Sequence, residues 1–169
     1  MTRFENNIGP LTILIVDDEA NIRKTLSYCL AAEGHTVIAV GNSADAVEEA
    51  RRRSFDLAFV DLKLGEEDGL ELIPVLLSDS PWTKIVVITA YASVESAVDA
   101  MHRGATDYIA KPFTTDQVRL LTRRIGRIRE LETEVAALRE DLPGELRIAP
   151  YLGVYAYAVN MQRVPDRDA

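Results

Sequence analysis

Five times along this chain a short apolar run gives way to a segment whose apolar residues recur every three or four positions, and that alternation leaves few ways to fold. The runs at Thr12–Val16, Thr36–Val40, Leu57–Val60, Lys84–Thr89 and Asp107–Ala110 read as strands of a covered sheet. Successive strands with a helix between them pair in parallel, because only a long crossover returns the chain to the same end of the sheet. The fold class is therefore α/β, a doubly wound five-stranded parallel sheet with helices on both faces. Helices are expected at residues 20–33, 44–52, 70–77 and 94–103, and from Thr115 or Asp116 onward. Ser43 is the expected cap of the second, and Gly34 and Gly104 stand where the first and fourth end. Pro74 reads as a kink or a late first-turn proline. The fourth helix is expected to bury Ala97 and Ala100 beside Val94, Val98 and Met101.

The last helix does not stop on schedule. Val118, Leu121, Ile125, Ile128, Leu131, Val135, Leu138 and Leu142 fall three or four apart, close to the seven-residue repeat of a coiled coil. The spacing slips between Ile128 and Leu131, and Gly126 costs ~1 kcal/mol of helix propensity. The expected organisation is an N-terminal tail at 1–10, a domain at 11–125, a linker helix at 126–142 and a tail at 143–169. The exposed stripe of the linker calls for cover, either from a second copy in a homodimeric coiled coil, or by the helix folding back or lying under a further domain. The tail carries Tyr151, Tyr155 and Tyr157 but no complete motif.

Composition narrows the classes. A chain of 169 residues suits one domain plus an appendage, and 47% hydrophobic with 27% charged residues excludes a collagen, a disulfide scaffold and a disordered chain. No apolar run is long enough to span a membrane, and Met1 to Pro10 holds no signal core, so the expected location is cytoplasmic. A net charge of −8 argues against direct DNA binding by this fragment. Arg119, Arg123, Arg124, Arg127 and Arg129 reverse that sign locally and read as a solvated helix face. Cys29 falls on the buried side of a helix as a structural thiol, and His35 and His102, each isolated, take surface or capping roles.

Chemistry enters at the strand ends. Leu14-Ile15-Val16 closes in Asp17-Asp18, and Leu57-Ala58-Phe59-Val60 closes in Asp61. Open α/β sheets bind their ligands past the carboxyl ends of the strands. Like charges ~4 Å apart repel by roughly 4 kcal/mol at an effective dielectric near 20, so acidic strand ends sharing one crevice call for a cation. Hard carboxylate oxygens suit Mg²⁺, which also takes water and phosphate oxygens. Thr89 and Lys111 close the fourth and fifth strands and add a hydroxyl and an ammonium. Were a phosphoryl unit to arrive on Asp61, Mg²⁺ and Lys111 would neutralise its oxygens and Thr89 would donate to one of them. Asp61 is the nucleophile because it stands alone, whereas Asp17 and Asp18 are adjacent and suited to holding metal.

With these residues in place, residues 11 to about 125 resemble a CheY-like receiver domain of a bacterial two-component response regulator. Val60-Asp61-Leu62-Lys63-Leu64-Gly65, Thr89-Ala90-Tyr91-Ala92-Ser93 and Asp107-Tyr108-Ile109-Ala110-Lys111-Pro112-Phe113, followed by the long helix, resemble the NtrC class and its alginate-biosynthesis regulator type. The resemblance implies a flavodoxin-like sheet of strand order 2-1-3-4-5 and a phosphoacceptor at Asp61. It implies Mg²⁺ held by Asp18 and Asp61 directly, by Asp17 through water and by the backbone carbonyl of Lys63. It gives Thr89 and Tyr108 the switch positions and Lys111 the phosphate-pairing position, with a cis Lys111–Pro112 bond. The implied partner is a sensor histidine kinase, and the implied role is a phosphoacceptor signalling domain, not an enzyme in the ordinary sense. Full members of the class continue into an ATPase and a DNA-binding domain; no G-x-x-x-x-G-K-[ST] loop occurs here, so the chain reads as a receiver-plus-linker piece or as a natural product that lost its output domains.

Two rivals differ in kind. A hydrolase passing through an aspartyl phosphate would need a general acid two residues after Asp61, where Lys63 stands, and a substrate cap that this chain lacks. A pseudo-receiver would act as a phosphorylation-independent dimerisation module, its pocket vestigial.

Overall fold

A computed structural model of the protein describes residues 8–140. The chain divides into two units, Met1–Arg129 and Glu130–Ala169. The first holds β1 (Thr12–Val16), α1 (Ala20–Ala32), β2 (Thr36–Val40), α2 (Ser43–Arg52), β3 (Leu57–Val60), β4 (Lys63–Leu64), β5 (Glu67–Asp68), α3 (Gly69–Asp79), β6 (Lys84–Thr89), α4 (Val94–His102), β7 (Asp107–Ala110) and the start of α5 (Thr115–Glu140). In the second, the described residues 130–140 are helical.

Five strands pair in parallel, as the alternation predicts, in the order β2-β1-β3-β6-β7, which is the 2-1-3-4-5 order that the resemblance implies. Period-two alternation divides the core between the two faces. Leu14, Val16, Ala58, Val60, Ile85 and Val87 pack against Ala46 of α2, Leu72, Ile73 and Leu76 of α3 and Ala100 of α4. Ile13, Ile15, Leu57, Phe59, Val86 and Ile88 pack against Leu26 and Leu30 of α1 and Val118, Leu121 and Ile125 of α5. The central strands are thus buried on both faces, while β2 and β7, at the edges, stay partly exposed.

Several local expectations change. The cap of α2 is Asn42, whose side chain accepts from the Asp45 amide at 2.8 Å, and Ser43 is already helical. Thr114 caps α5 in a reciprocal box: Thr114 Oγ1 accepts from the Gln117 amide at 3.2 Å, and Gln117 Oε1 accepts from the Thr114 amide at 2.8 Å. Pro74 lies inside α3, past its first turn. His35 is no surface residue; it is buried, and its Nδ1 accepts from the Leu11 amide at 3.2 Å.

The largest revision concerns α4. Val94, Val98 and Met101 are 77%, 47% and 40% exposed, and Ala100 is the buried residue of the helix. At ~100° per residue the apolar side chains of α4 spread over an arc of about 160°, and the sheet takes only the edge at Ala100.

On α5, Val118, Leu121 and Ile125 are buried against the sheet, whereas Ile128 is 37% exposed. Gly126 sits where a Cβ would lie 3.2 Å from Ile8 Cβ, so the glycine admits the incoming N-terminal segment. The arginines of this helix meet acids of the same unit: Arg123 and Arg119 pair with Glu33, Arg124 with Asp107 and Arg129 with Asp56. In the second unit, Leu131, Val135 and Leu138 are exposed. Leu142, Pro143 and the tyrosine-bearing tail lie outside the described residues.

Candidate functional site

Ladder geometry brings the sequence-distant residues to one edge. Val16 pairs with Val60 and Val60 with Val87, so β1 and β3 end together while β6 runs two residues further to Thr89, which pairs with Ala110, the last residue of β7. Backbone bonds extend that edge by one residue: the Asp61 amide donates to Val16 O at 2.9 Å, the Asp17 amide to Val40 O at 3.2 Å and the Lys111 amide to Thr89 O at 2.8 Å. Asp17, Asp61 and Lys111 therefore emerge side by side at the carboxyl ends of their strands. The Lys111–Pro112 peptide bond is cis.

Lys111 Nζ donates to Asp61 Oδ2 at 2.7 Å, lies 2.9 Å from Asp17 Oδ2 and reaches Glu19 Oε1 at 2.8 Å. The side chains of Asp17 and Asp61 are almost fully buried. Burial raises the Asp17 carboxyl above its ordinary value, against the downward pull of Lys111 and of the Glu19 amide, which donates to Asp17 Oδ1 at 2.8 Å. Burial also works to discharge Lys111, but hydrogen bonds to Asp61, Glu19 and Asp17 outweigh it and hold the ammonium above its usual range. The lysine is charged at any physiological pH.

The loop after β3 is shaped around Asp61. Its Oδ1 accepts from the Lys63 amide at 3.1 Å, and the Gly69 amide donates to Leu62 O at 2.7 Å. A Cβ on Gly69 would stand 2.9 Å from both the Asp61 carbonyl carbon and Leu62 Cα, so α3 starts against the backbone of the acid itself and only glycine fits. Between them β4 and β5 form a short antiparallel hairpin, Lys63 opposite Asp68 and Leu64 opposite Glu67, where the alternation suggests only a loop.

Asp18 stands apart. It is exposed, and its Oδ2 accepts from the Gly65 amide at 3.1 Å, which draws that carboxylate toward the hairpin turn. Arg23 Nη1 donates to the carbonyls of Asp17 and Asp18 at 2.7 and 2.9 Å and braces the turn into α1. Thr89 is fully buried, and its Oγ1 accepts from the Tyr91 amide at 3.2 Å. Tyr108, half-buried on β7, shares a 2.9 Å hydrogen bond with Ser96 Oγ of α4. Lys63 points its ammonium at Tyr91, 3.4 Å from the hydroxyl and 5.0 Å from the ring centre.

Among the described residues, Asp17, Glu19 and Asp61 place carboxylate oxygens within 4.8 Å of one another. Glu19 is the member that pattern reading passes over, because it follows the acidic pair at the entry to a helix and reads as part of a turn. Three hard oxygen donors face a single ammonium there, and that donor set fits a divalent cation of the Mg²⁺ kind. Two buried acids with a buried lysine also form a nucleophile and counter-charge of the type that acyl-phosphate chemistry uses.

Comparison with known proteins identifies the family. Residues 13–123 match the model of the response regulator receiver domain. The chain is 39% identical over 152 residues to the alginate biosynthesis transcriptional regulatory protein AlgB of Pseudomonas syringae pv. tomato, an alignment covering 90% of this chain and 33% of that protein. The crystal structure of NtrX from Brucella abortus superposes with a TM-score of 0.73 at 31% identity, covering 92% of this chain and 35% of that one. A CheY-like receiver domain protein from Methanospirillum hungatei superposes with a TM-score of 0.67 at 28% identity, covering 72% of this chain and 98% of the other. The chain spans about a third of the length of the AlgB and NtrX proteins that it matches. With its strand order and its matched residues in agreement, the chain belongs to the response regulator receiver family, a family of signalling domains.

Proposed function

We propose that Asp61 accepts a phosphoryl group from a phosphohistidine of a sensor histidine kinase in the presence of Mg²⁺, and that the phosphorylated domain switches the output of an NtrC-type transcription activator. The observation that carries this reading is the Lys111 ammonium 2.7 Å from Asp61 Oδ2, beside carboxylates close enough to share an ion. Asp17, Asp18, Asp61 and the carbonyl of Lys63 are the proposed ligands, with Asp18 turning in from the Gly65 amide and Glu19 staying on Lys111. Bound there, Mg²⁺ would supply charge neutralisation for the transferring phosphoryl oxygens. The chain's own groups do the rest. Asp61 offers a carboxylate oxygen to phosphorus, Lys111 pairs with one phosphoryl oxygen, and the Thr89 hydroxyl donates to another. Loss of the group by slow hydrolysis resets the domain.

In this reading the added charge, about −1.5 to −2 for an ordinary phospho-residue at neutral pH, is read through Thr89. Turning toward the phosphoryl group, Thr89 gives up the Tyr91 amide, and Tyr108 leaves Ser96 for the space vacated. The exposed apolar side chains of α4 lie next to that movement, so the face of α4, β7 and α5 is the proposed output surface. The proposed assembly is a homodimer through the C-terminal helix, since Leu131, Val135 and Leu138 are exposed on it. No helix among the described residues is long and apolar enough to cross a membrane. The proposed place of action is the cytoplasm, with DNA contact left to other parts of the regulator.

Incubation with Mg²⁺ and a small phosphodonor tests the reading. Stable labelling lost in Asp61→Asn is the expected result; rapid turnover of many phosphate esters would instead indicate a hydrolase, and no labelling a pseudo-receiver.

A further inference from the structure

Lys111 has three N–H groups and three carboxylate neighbours: Asp61 Oδ2 at 2.7 Å, Glu19 Oε1 at 2.8 Å and Asp17 Oδ2 at 2.9 Å. An ammonium offers no fourth donor. A phosphoryl oxygen that comes to Lys111 must therefore take the place of one of the three. They differ in how readily they let go. The side chain of Asp17 is 3% exposed, so a carboxylate released there would lose its partner with little water to replace it, and Asp61, 6% exposed, is once esterified a neutral and weaker acceptor, which leaves Glu19 as the anion free to compete with the phosphoryl group for the ammonium. Each is also tied down by a backbone amide, Asp17 by that of Glu19 and Asp61 by that of Lys63. The side chain of Glu19 is 58% exposed, and its carboxylate passes to water at small cost.

We propose that Glu19 is a positioning residue for phosphoryl transfer, holding the third N–H of Lys111 while Asp61 is free and yielding it to the phosphoryl oxygen when Asp61 is modified. The inference rests on the reading of Asp61 as the acceptor. Bond-making leaves Glu19 untouched: an Asp61 oxygen supplies the electron pair of the new O–P bond, the donor's bond to phosphorus breaks, and the leaving nitrogen departs with that pair and takes a proton from solvent. Glu19 acts only by competing for Lys111. It keeps the ammonium aimed at the rim of the site, it slows the arrival of the phosphoryl group, and it shortens its stay.

The experiment uses the full chain with Mg²⁺ and phosphoramidate, following phosphorylation and decay by intact mass. Exposed ion pairs are weak, so Glu19→Gln is expected to raise the rate of labelling and to lengthen the lifetime of the aspartyl phosphate, each by roughly two- to five-fold. Glu19→Asp separates contact from field. It keeps the negative charge but is one methylene too short to reach Lys111, and it is expected to behave as Glu19→Gln does. A second readout follows the Lys111 ammonium by nitrogen-detected magnetic resonance. Its signal is expected to differ between wild type and Glu19→Gln in the resting protein and to coincide in the phosphorylated one.

If the wild type takes no label, the acceptor reading and this inference fall together. If the wild type labels but Glu19→Gln matches it in rate and lifetime, the inference alone is overturned. It is overturned likewise if Glu19→Asp behaves as wild type, or if the phosphorylated signals of Lys111 still differ.

Discussion

Gly69 ties the fold to the chemistry at the scale of one residue. Its missing side chain lets α3 begin against the backbone of Asp61, and an alanine there would push on the Asp61 carbonyl carbon and Leu62 Cα from 2.9 Å. Backbone atoms do not rotate away as a side-chain tip would. Gly69→Ala is therefore expected to cost about 1–3 kcal/mol in urea unfolding and to slow labelling of Asp61. A variant as stable and as readily labelled as wild type would show that the contact relaxes freely. His35 gives a second test. Burial lowers its pKa from the ordinary 6.5, opposed by Glu33, and Nδ1 must stay unprotonated to accept from the Leu11 amide. The unfolded chain then binds the proton more readily than the folded one, so this contribution to stability is complete above pH 6.5 and is lost as pH falls below it. Thermal melts between pH 5 and 8 are expected to show the decline in wild type and a shallower one in His35→Gln; parallel profiles would remove His35 from the account. Of the site, Asp17, Asp61, Thr89 and Lys111 were legible as strand-end residues, because a parallel sheet collects its carboxyl ends at one edge. Glu19 was not, since its place depends on how the chain turns into α1.

For whole elements, pattern reading found the five strands of the main sheet and the five helices, and failed on which part of a helix's apolar arc is buried. Strands β1, β3 and β6 are covered on both sides, so continuous apolar runs mark them closely. In α4, periodicity defines an apolar arc but does not say which part of it meets the sheet, and the exposed Val94, Val98 and Met101 record the difference. The β4–β5 hairpin, two residues a side, is too short to leave a periodic signal. In α5, Gly126 looks like a helix weakness until Ile8 is seen lying against it. A double-mutant cycle follows from that contact. Gly126→Ala is expected to gain about 1 kcal/mol in an Ile8→Gly background and clearly less in wild type, where the methyl must displace Ile8. Equal gains in both backgrounds would mean that Ile8 yields without cost.

At the scale of the whole molecule, the division after Arg129 separates a unit with a packed core from one whose described helical residues expose Leu131, Val135 and Leu138. The proposed homodimer places those side chains at its seam. Sedimentation of the full chain is expected to give a dimer, and a version ending at Arg129 a monomer; identical sedimentation of the two would move the interface elsewhere. None of this gives the domain a signal to transmit unless the acidic edge takes up phosphate, and the measurement that decides it is direct. After incubation with Mg²⁺ and phosphoramidate, peptide mapping is expected to find one hydroxylamine-labile phosphoryl group, on Asp61, absent from Asp61→Asn and dependent on the metal. A phosphoryl group on any other residue, or none at all, would contradict the reading of the buried carboxylate beside Lys111 as the acceptor.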